Sequence, residues 1–157
     1  MNAENQQERL NDQWISGFVD GEGCFLVGFN DNQKLSLGVQ VLPEIRVVQN
    51  LRDRVLLTRL KNHFDCGVVR RNSSVYRHTL QWSVRKKIEL LKLIKHFKEY
   101  PLQSKKKKDF EKFCEVISLL DSGLTPEKLE LIKKIKITMN KGAKYNDDHL
   151  ESSETKR

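Results

Sequence analysis

The chain has 157 residues, with 29 lysines and arginines against 21 acids, so it carries a formal charge of +8. That length gives about one domain with a real hydrophobic core. No run of about 18 apolar residues is present to cross a bilayer, which argues against a membrane partner. The three cysteines (Cys24, Cys66, Cys114) are odd in number and scattered, which argues against a disulfide framework and for a reducing compartment. The stretch Met1 to Gln7 is polar and has neither the apolar centre of a secretory signal nor the Arg- and Ser-rich character of a transit peptide. A basic balance of this size favours a polyanionic partner, nucleic acid before a membrane surface or ribosome.

Residues 1–9 read as a flexible start. Leu10, Trp14, Ile15, Phe18 and Val19 then fall on one helical face, with Asn11 or Asp12 as its cap. The period changes to two at Phe25, Val27 and Phe29, which alternate with Cys24, Leu26, Gly28 and Asn30 as a half-buried strand does. Asn30-Asp31-Asn32 is a turn. Residues 36–49 alternate again, and Pro43 inside that run predicts a bulge or an unpaired stretch. Leu51, Val55, Leu56, Leu60 and Phe64 return to helical spacing, and Gly67 ends that unit. Val68 to Asn72, followed by Tyr76, Leu80, Trp82 and Val84, read as a hairpin about Asn72-Ser73-Ser74. Ile88, Leu91, Ile94 and Phe97 predict a helix that stops at Tyr100-Pro101. Phe110, Phe113, Cys114, Ile117 and Leu120 predict another, closed by Ser122-Gly123. Thr125-Pro126-Glu127 opens a last helix with Leu129, Ile132, Ile135 and Met139 on one face. The expectation is one α+β domain over 10–140 and a disordered polar tail over 141–157.

Four strands with helices on one side leave the other sheet face open. By alternation that face carries Asn30, Glu44, Arg46, Arg70, Asn72, Arg77, Thr79 and Gln81. Such donor-rich side chains suit the reading of base edges; the alternative is an ordinary solvated sheet face.

The most informative stretch is Trp14-Ile15-Ser16-Gly17-Phe18-Val19-Asp20-Gly21-Glu22-Gly23. Gly17 and Gly21, four apart, leave one helix face bare enough for close backbone approach. Glu22 then stands between two glycines at a helix C-terminus, where the helix dipole repels an acid. An acid held there points to a cation at the site. The alternative is a helix end with Gly23 in the left-handed conformation and Glu22 in solvent.

Residues Ile15 to Gly23 resemble the signature helix of the LAGLIDADG homing endonucleases at every position in residue type, with Gly17, Asp20 and Gly23 identical. The αββαββα order is that family's fold, whose four-stranded antiparallel saddle grips DNA. The resemblance covers about residues 10–140. It implies site-specific cleavage of both strands of a long pseudo-palindromic DNA target. The expected cofactor is Mg²⁺, with Mn²⁺ able to substitute and Ca²⁺ supporting binding without cleavage. A single motif implies a homodimer, here through Trp14, Gly17, Phe18 and Gly21. No small-molecule substrate is implied. The family's habit of residing in organellar introns implies synthesis in a chloroplast or mitochondrion.

Carried over residue by residue, Glu22 matches the acidic metal ligand, with the carbonyl of Gly21 beside it. Asp there is the commoner family residue. Asp20 matches a structural acid. Gln49 resembles a residue that orients water. Asp53 stands where the family often has an arginine, between Arg52 and Arg54. Lys105 is the first choice for the active-site lysine and Lys106 the second. Lys107 and Lys134 are assigned to phosphates; a solvated helix face is the alternative for these lysines. His63 and Cys66 have H-x-x-C spacing, weak without a second pair, and His78 and His96 read as packing or surface residues. No P-loop and no Gly-x-Ser-x-Gly elbow is present. The rival functions are an RNA-binding intron maturase on the same scaffold and an inactive DNA-binding regulator.

Overall fold

The computed structural model describes residues 9–72 and 78–141. Its elements run α1 (Asp12–Glu22), β1 (Gly23–Asp31), β2 (Val39–Asn50), a 3-10 turn (Leu51–Asp53), α2 (Arg54–Phe64), β3 (Val68–Arg71), β4 (Thr79–Val84), α3 (Lys87–Glu99), α4 (Lys106–Leu120) and α5 (Pro126–Thr138). The sheet is antiparallel with strand order β1-β2-β4-β3. No described helix is long and apolar enough to cross a membrane.

The helix starts follow local capping chemistry. Asn11 Oδ1 accepts from the Trp14 amide at 3.0 Å and opens α1. Thr125 Oγ1 accepts from the Lys128 amide at 3.2 Å and opens α5, with Pro126 at its first position. One sheet face is covered by the helices. Phe25, Ile45, Val47, Trp82 and Val84 are fully buried there, and the Phe25 ring meets Phe97, Phe110 and Phe113 at centroid distances of 5.4–5.9 Å. Trp82 fixes the sheet's corner: its indole N–H donates to the Cys66 carbonyl at 3.0 Å. A Cβ on Gly67 would lie 2.5 Å from that indole nitrogen, and Gly67 has φ +79°, so two independent constraints select glycine.

Three sequence expectations need correction. Pro43 makes no bulge: β2 pairs with β1 straight through it, opposite Val27, and β4 reaches β2 only from Ile45 onward. Its missing N–H therefore costs no ladder bond on that side. On α3, Leu90, Leu93, Ile94 and Phe97 are buried, whereas Ile88 is 74% and Leu91 48% exposed. The helix carries two overlapping apolar stripes, and the sheet takes the one begun by Leu90. On α2, Leu57, Leu60 and Phe64 are buried and Val55 faces solvent for the same reason. Arg77 and the hairpin tip at 73–77 lie outside the described residues, as do the expected tail beyond 141 and the first eight residues.

Candidate nuclease site and nucleic-acid interface

α1 runs into β1 without a loop. Gly23 is extended (φ −83°, ψ 165°), not left-handed as the helix-end alternative had it, although Glu22 is exposed as that alternative expects. Its amide donates to the Val19 carbonyl, and a Cβ there would lie 2.6 Å from Val19 Cγ1 and 2.8 Å from Val19 O. The third motif glycine is thus required by contact: only hydrogen lets the strand leave the helix this closely.

This junction projects Glu22 into solvent at the C-terminal end of α1, with Gly21 exposed beside it. Among the described residues no side chain pairs with Glu22. Asp20 turns the other way. It accepts from the amides of Gln103 at 2.8 Å and Ser104 at 2.9 Å, and from the Ser104 hydroxyl. Burial alone would raise the Asp20 carboxyl; the Ser104 hydroxyl, the two amides and the Lys106 charge outweigh it and hold it below its ordinary value. Asp20 thereby ties the start of α4 to the end of α1. Lys106 Nζ donates to the Val19 carbonyl at 3.3 Å, where the helix's negative end welcomes a cation. Lys105, Lys107 and Lys108 are exposed. Pairing of β1 with β2 begins at Gly23 opposite Val47, so β2 overshoots it and puts half-buried Gln49 at the Glu22 end of the sheet. Asp53 closes the 3-10 turn that follows.

The exposed face of α1 carries Trp14 and Phe18 stacked at 5.1 Å, and nothing lies within 4 Å of a Cβ built on Gly17 or Gly21. Trp14 is 45% exposed.

The open sheet face holds two organised clusters. Glu44 is buried, and its two oxygens accept from Arg46 Nε and Arg85 Nε at 2.8 Å each. Burial alone would raise the Glu44 carboxyl, but the hydrogen bonds and charges of the two arginines hold it below its ordinary 4.5. The second cluster centres on buried Gln81. With its amide oriented to satisfy both neighbours, its nitrogen donates to Asn72 Oδ1 at 2.8 Å and its oxygen accepts from Arg70 Nε at 2.8 Å. The register sets Cys24, Arg46, Ser83 and Val68 in one row and Val48, Gln81 and Arg70 in the next. Asn30 is exposed and Thr79 half-buried. Arg85 was not among the expected face residues, yet the alternation Thr79, Gln81, Ser83 leads directly to it.

The Glu44 cluster has a pH signature. A depressed folded value means that its stabilisation is complete above 4.5 and is lost as the pH falls through the lower folded value. Glu44→Gln should flatten the acid limb of the stability curve in that window, measured by urea midpoints. An unchanged limb would remove the two ion pairs from the stability account.

On α5, Lys133 pairs with Glu130 at 2.9 Å and Lys136 sits over the Phe29 ring at 4.8 Å, while Lys134 is exposed. His63 does not face Cys66 as a ligand pair; it contacts Asp12, as does His96.

The family model described as LAGLIDADG endonuclease matches residues 15–117. The structure is similar to the crystal structure of the homing endonuclease I-TnaI, with TM-score 0.80 and 41% identity over 90% of this chain and 94% of that one. It is similar to the meganuclease I-SmaMI bound to uncleaveable DNA, with TM-score 0.79 and 27% identity, covering 85% of this chain and 46% of that one. Among curated sequences, the probable intron-encoded endonuclease Cox1-I1b of Schizosaccharomyces pombe is 30% identical over 92% of this chain. An uncharacterized protein in ND4 intron 1 of Podospora anserina is 34% identical over 69% of it. The chain spans 24% and 37% of the length of the Podospora and Schizosaccharomyces proteins, respectively. With the signature helix, the four-stranded antiparallel sheet and the family match in agreement, the chain belongs to the LAGLIDADG endonuclease family.

Proposed function

We propose that the protein is a site-specific homing endonuclease that hydrolyses phosphodiester bonds in both strands of double-stranded DNA. The observation that carries this reading is Glu22: an exposed acid at the negative end of α1 that pairs with no described side chain, with Lys106 held on the Val19 carbonyl three residues earlier. The Glu22 carboxylate and the Gly21 carbonyl are hard oxygen donors, and helix ends leave carbonyls without intrahelical partners. They fit a divalent ion such as Mg²⁺. Once bound, such an ion acidifies water and neutralises charge on the phosphate. The chain's own residues do the rest. Lys106, fixed by α1, stabilises negative charge growing on the scissile phosphate. Asp20 holds the 103–106 segment so that this lysine keeps its place, and Gln49 orients water from the strand end. Lys106 is preferred over Lys105 because its ammonium is anchored and half-buried.

The open sheet face binds the DNA. Arg46 and Arg70 read base edges, Glu44 and Gln81 fix their forks, and Arg85 adds a third guanidinium. Asn30, Asn72, Arg77 and Thr79 extend the face. The bare face of α1 at Gly17 and Gly21, flanked by Trp14 and Phe18, meets a second such domain, so that two Glu22 side chains flank one axis. That the chain matches 46% of I-SmaMI supports two such domains per active unit; sedimentation of the protein on DNA tests it. Relatives named for ND4 and Cox1 introns support an organellar intron origin.

Cleavage of a plasmid library with and without Mg²⁺ tests the activity. Ion-dependent cutting at one site supports it; RNA binding without cutting favours a maturase, and DNA binding alone a regulator. The assignment of readers is tested separately. Arg70→Ala should cost about 1–3 kcal/mol and relax specificity at particular base pairs. Lys107→Ala and Lys134→Ala should weaken all sequences alike and lower the salt dependence. Competition gel shifts decide it, and a loss of specificity from the lysines alone would reverse the roles.

A further inference from the structure

At the other end of α1, about 15 Å from Glu22 along the helix, three metal-ligating side chains from three helices converge. Asp12 begins α1, His63 lies in the last turn of α2 and His96 in the last turn of α3. Asp12 Oδ1 is 3.0 Å from His63 Nε2 and 3.7 Å from His96 Nδ1, and the three donor atoms all lie within 4.8 Å of one another. Donors on a tetrahedral ion with bonds of about 2.1 Å stand about 3.4 Å apart, between those two distances.

Hydrogen bonding sets His96 up as a ligand. The Ser16 hydroxyl donates to the Tyr100 carbonyl at 2.6 Å, which is its only proton. Ser16 Oγ therefore accepts from His96 Nε2–H at 3.3 Å. That tautomer leaves a bare lone pair on Nδ1 facing the Asp12 carboxylate. Two acceptors are thus turned toward each other, an arrangement that a shared cation resolves. An imidazole that ligates through one nitrogen and passes its other N–H into the backbone is the usual outer support of a metal site. The His63 side chain is buried; without an ion its Nε2–H donates to the Asp12 carboxylate at 3.0 Å, and its Nδ1, which has no hydrogen-bond partner among the described residues, is open to take that proton when Nε2 ligates.

The backbone adds to this. The C-terminal ends of α2 and α3 both arrive here, and their negative dipole ends favour a cation. Lys92 is drawn to the same place, with Nζ at 3.4 and 3.3 Å from the Phe64 and Asp65 carbonyls. Asp12 is 32% exposed, which opens a path from solvent.

We propose that Asp12, His63 and His96 form a binding site for a borderline transition-metal ion of the Zn²⁺ class, separate from the nuclease centre, that ties the start of α1 to α2 and α3. Two imidazoles and one carboxylate select such an ion over Mg²⁺ or Ca²⁺, and the fourth position is left to water. This proposal does not rest on the nuclease reading.

The test uses the full chain with Glu22→Gln, so that the acid of the nuclease site makes no contribution, after chelator treatment. The probes are Zn²⁺ and Co²⁺. One equivalent of Zn²⁺ should bind by calorimetry and raise the melting temperature, and Co²⁺ should give the strong visible absorption of a four-coordinate site. Adding Asp12→Asn or His63→Gln should weaken Zn²⁺ binding at least about tenfold, with folding checked by circular dichroism. Should His63→Gln not fold, Asp12→Asn at the part-exposed helix start decides, together with the Co²⁺ spectrum of the parent. No Zn²⁺ binding, a weak six-coordinate Co²⁺ spectrum, or binding unchanged in the folded variants would overturn the proposal.

Discussion

Glu22→Gln should leave the protein able to bind its DNA and unable to cut it. The substitution keeps the size and polarity of the side chain and removes only the charge. Glu22 is exposed and pairs with no described side chain, so the fold loses nothing when the charge goes. Stability should therefore stay within about 0.5 kcal/mol of the parent. Binding should survive because, on the proposed reading, it draws on the sheet face and on lysines elsewhere, a sum of many phosphate and base contacts. Cleavage should fall by orders of magnitude, because the carboxylate proposed to hold the divalent ion is gone. Glu22→Asp keeps the charge on a shorter arm and should retain part of the activity. Cleavage and gel shift on one target in Mg²⁺, with binding repeated in Ca²⁺, measure both effects. Full cutting by Glu22→Gln would remove the residue from the active site.

The parts of this molecule that sequence reveals are those fixed by local chemistry. Asn11, Thr125 and Pro126 open their helices because capping needs only neighbours within a turn. The period-two face of β1 and β2 is legible because one side is packed on phenylalanines and the other is not. Where the chain offers two apolar stripes, as on α3, periodicity cannot choose; the sheet chooses Leu90 over Ile88. The open-face residues were placed by alternation, but not their pairing. Glu44 and Gln81 look like readers in sequence, and both are buried beneath the arginines that they hold. The Asp12, His63 and His96 cluster had no sequence signal at all, since its members are separated by dozens of residues and meet only when three helix ends converge. The H-x-x-C spacing at His63 and Cys66 does not bring those two together; His63 contacts Asp12 instead.

Gly23→Ala should damage both the fold and the chemistry, and for a single geometric reason. The added methyl would lie 2.6 Å from Val19 Cγ1 and 2.8 Å from the Val19 carbonyl oxygen. Val19 is fully buried, so its side chain has no free space to yield into. Relief must come from the backbone, by opening the angle between α1 and β1. Forcing one methyl into a packed junction costs about 1–3 kcal/mol. The conformation itself is not at fault, because Gly23 has φ −83°, which alanine adopts freely. The shift moves two groups that the junction holds together: Glu22, which precedes the substituted residue, and the Val19 carbonyl that anchors Lys106. A displacement of about 1 Å in catalytic groups can cost about a hundredfold in rate. Cleavage should thus fall further than binding, and further than the loss of stability explains at a temperature where the variant is folded. Gly21→Ala is the control. A Cβ there meets nothing within 4 Å, so the isolated domain should keep its stability. Urea midpoints on both variants and cleavage rates on Gly23→Ala separate the effects; Gly21→Ala serves for stability alone, since Gly21 lies in the proposed metal site and domain-pairing face. A Gly23→Ala protein as stable and as active as the parent would mean that the helix–strand junction tolerates opening and does not set the position of the acid.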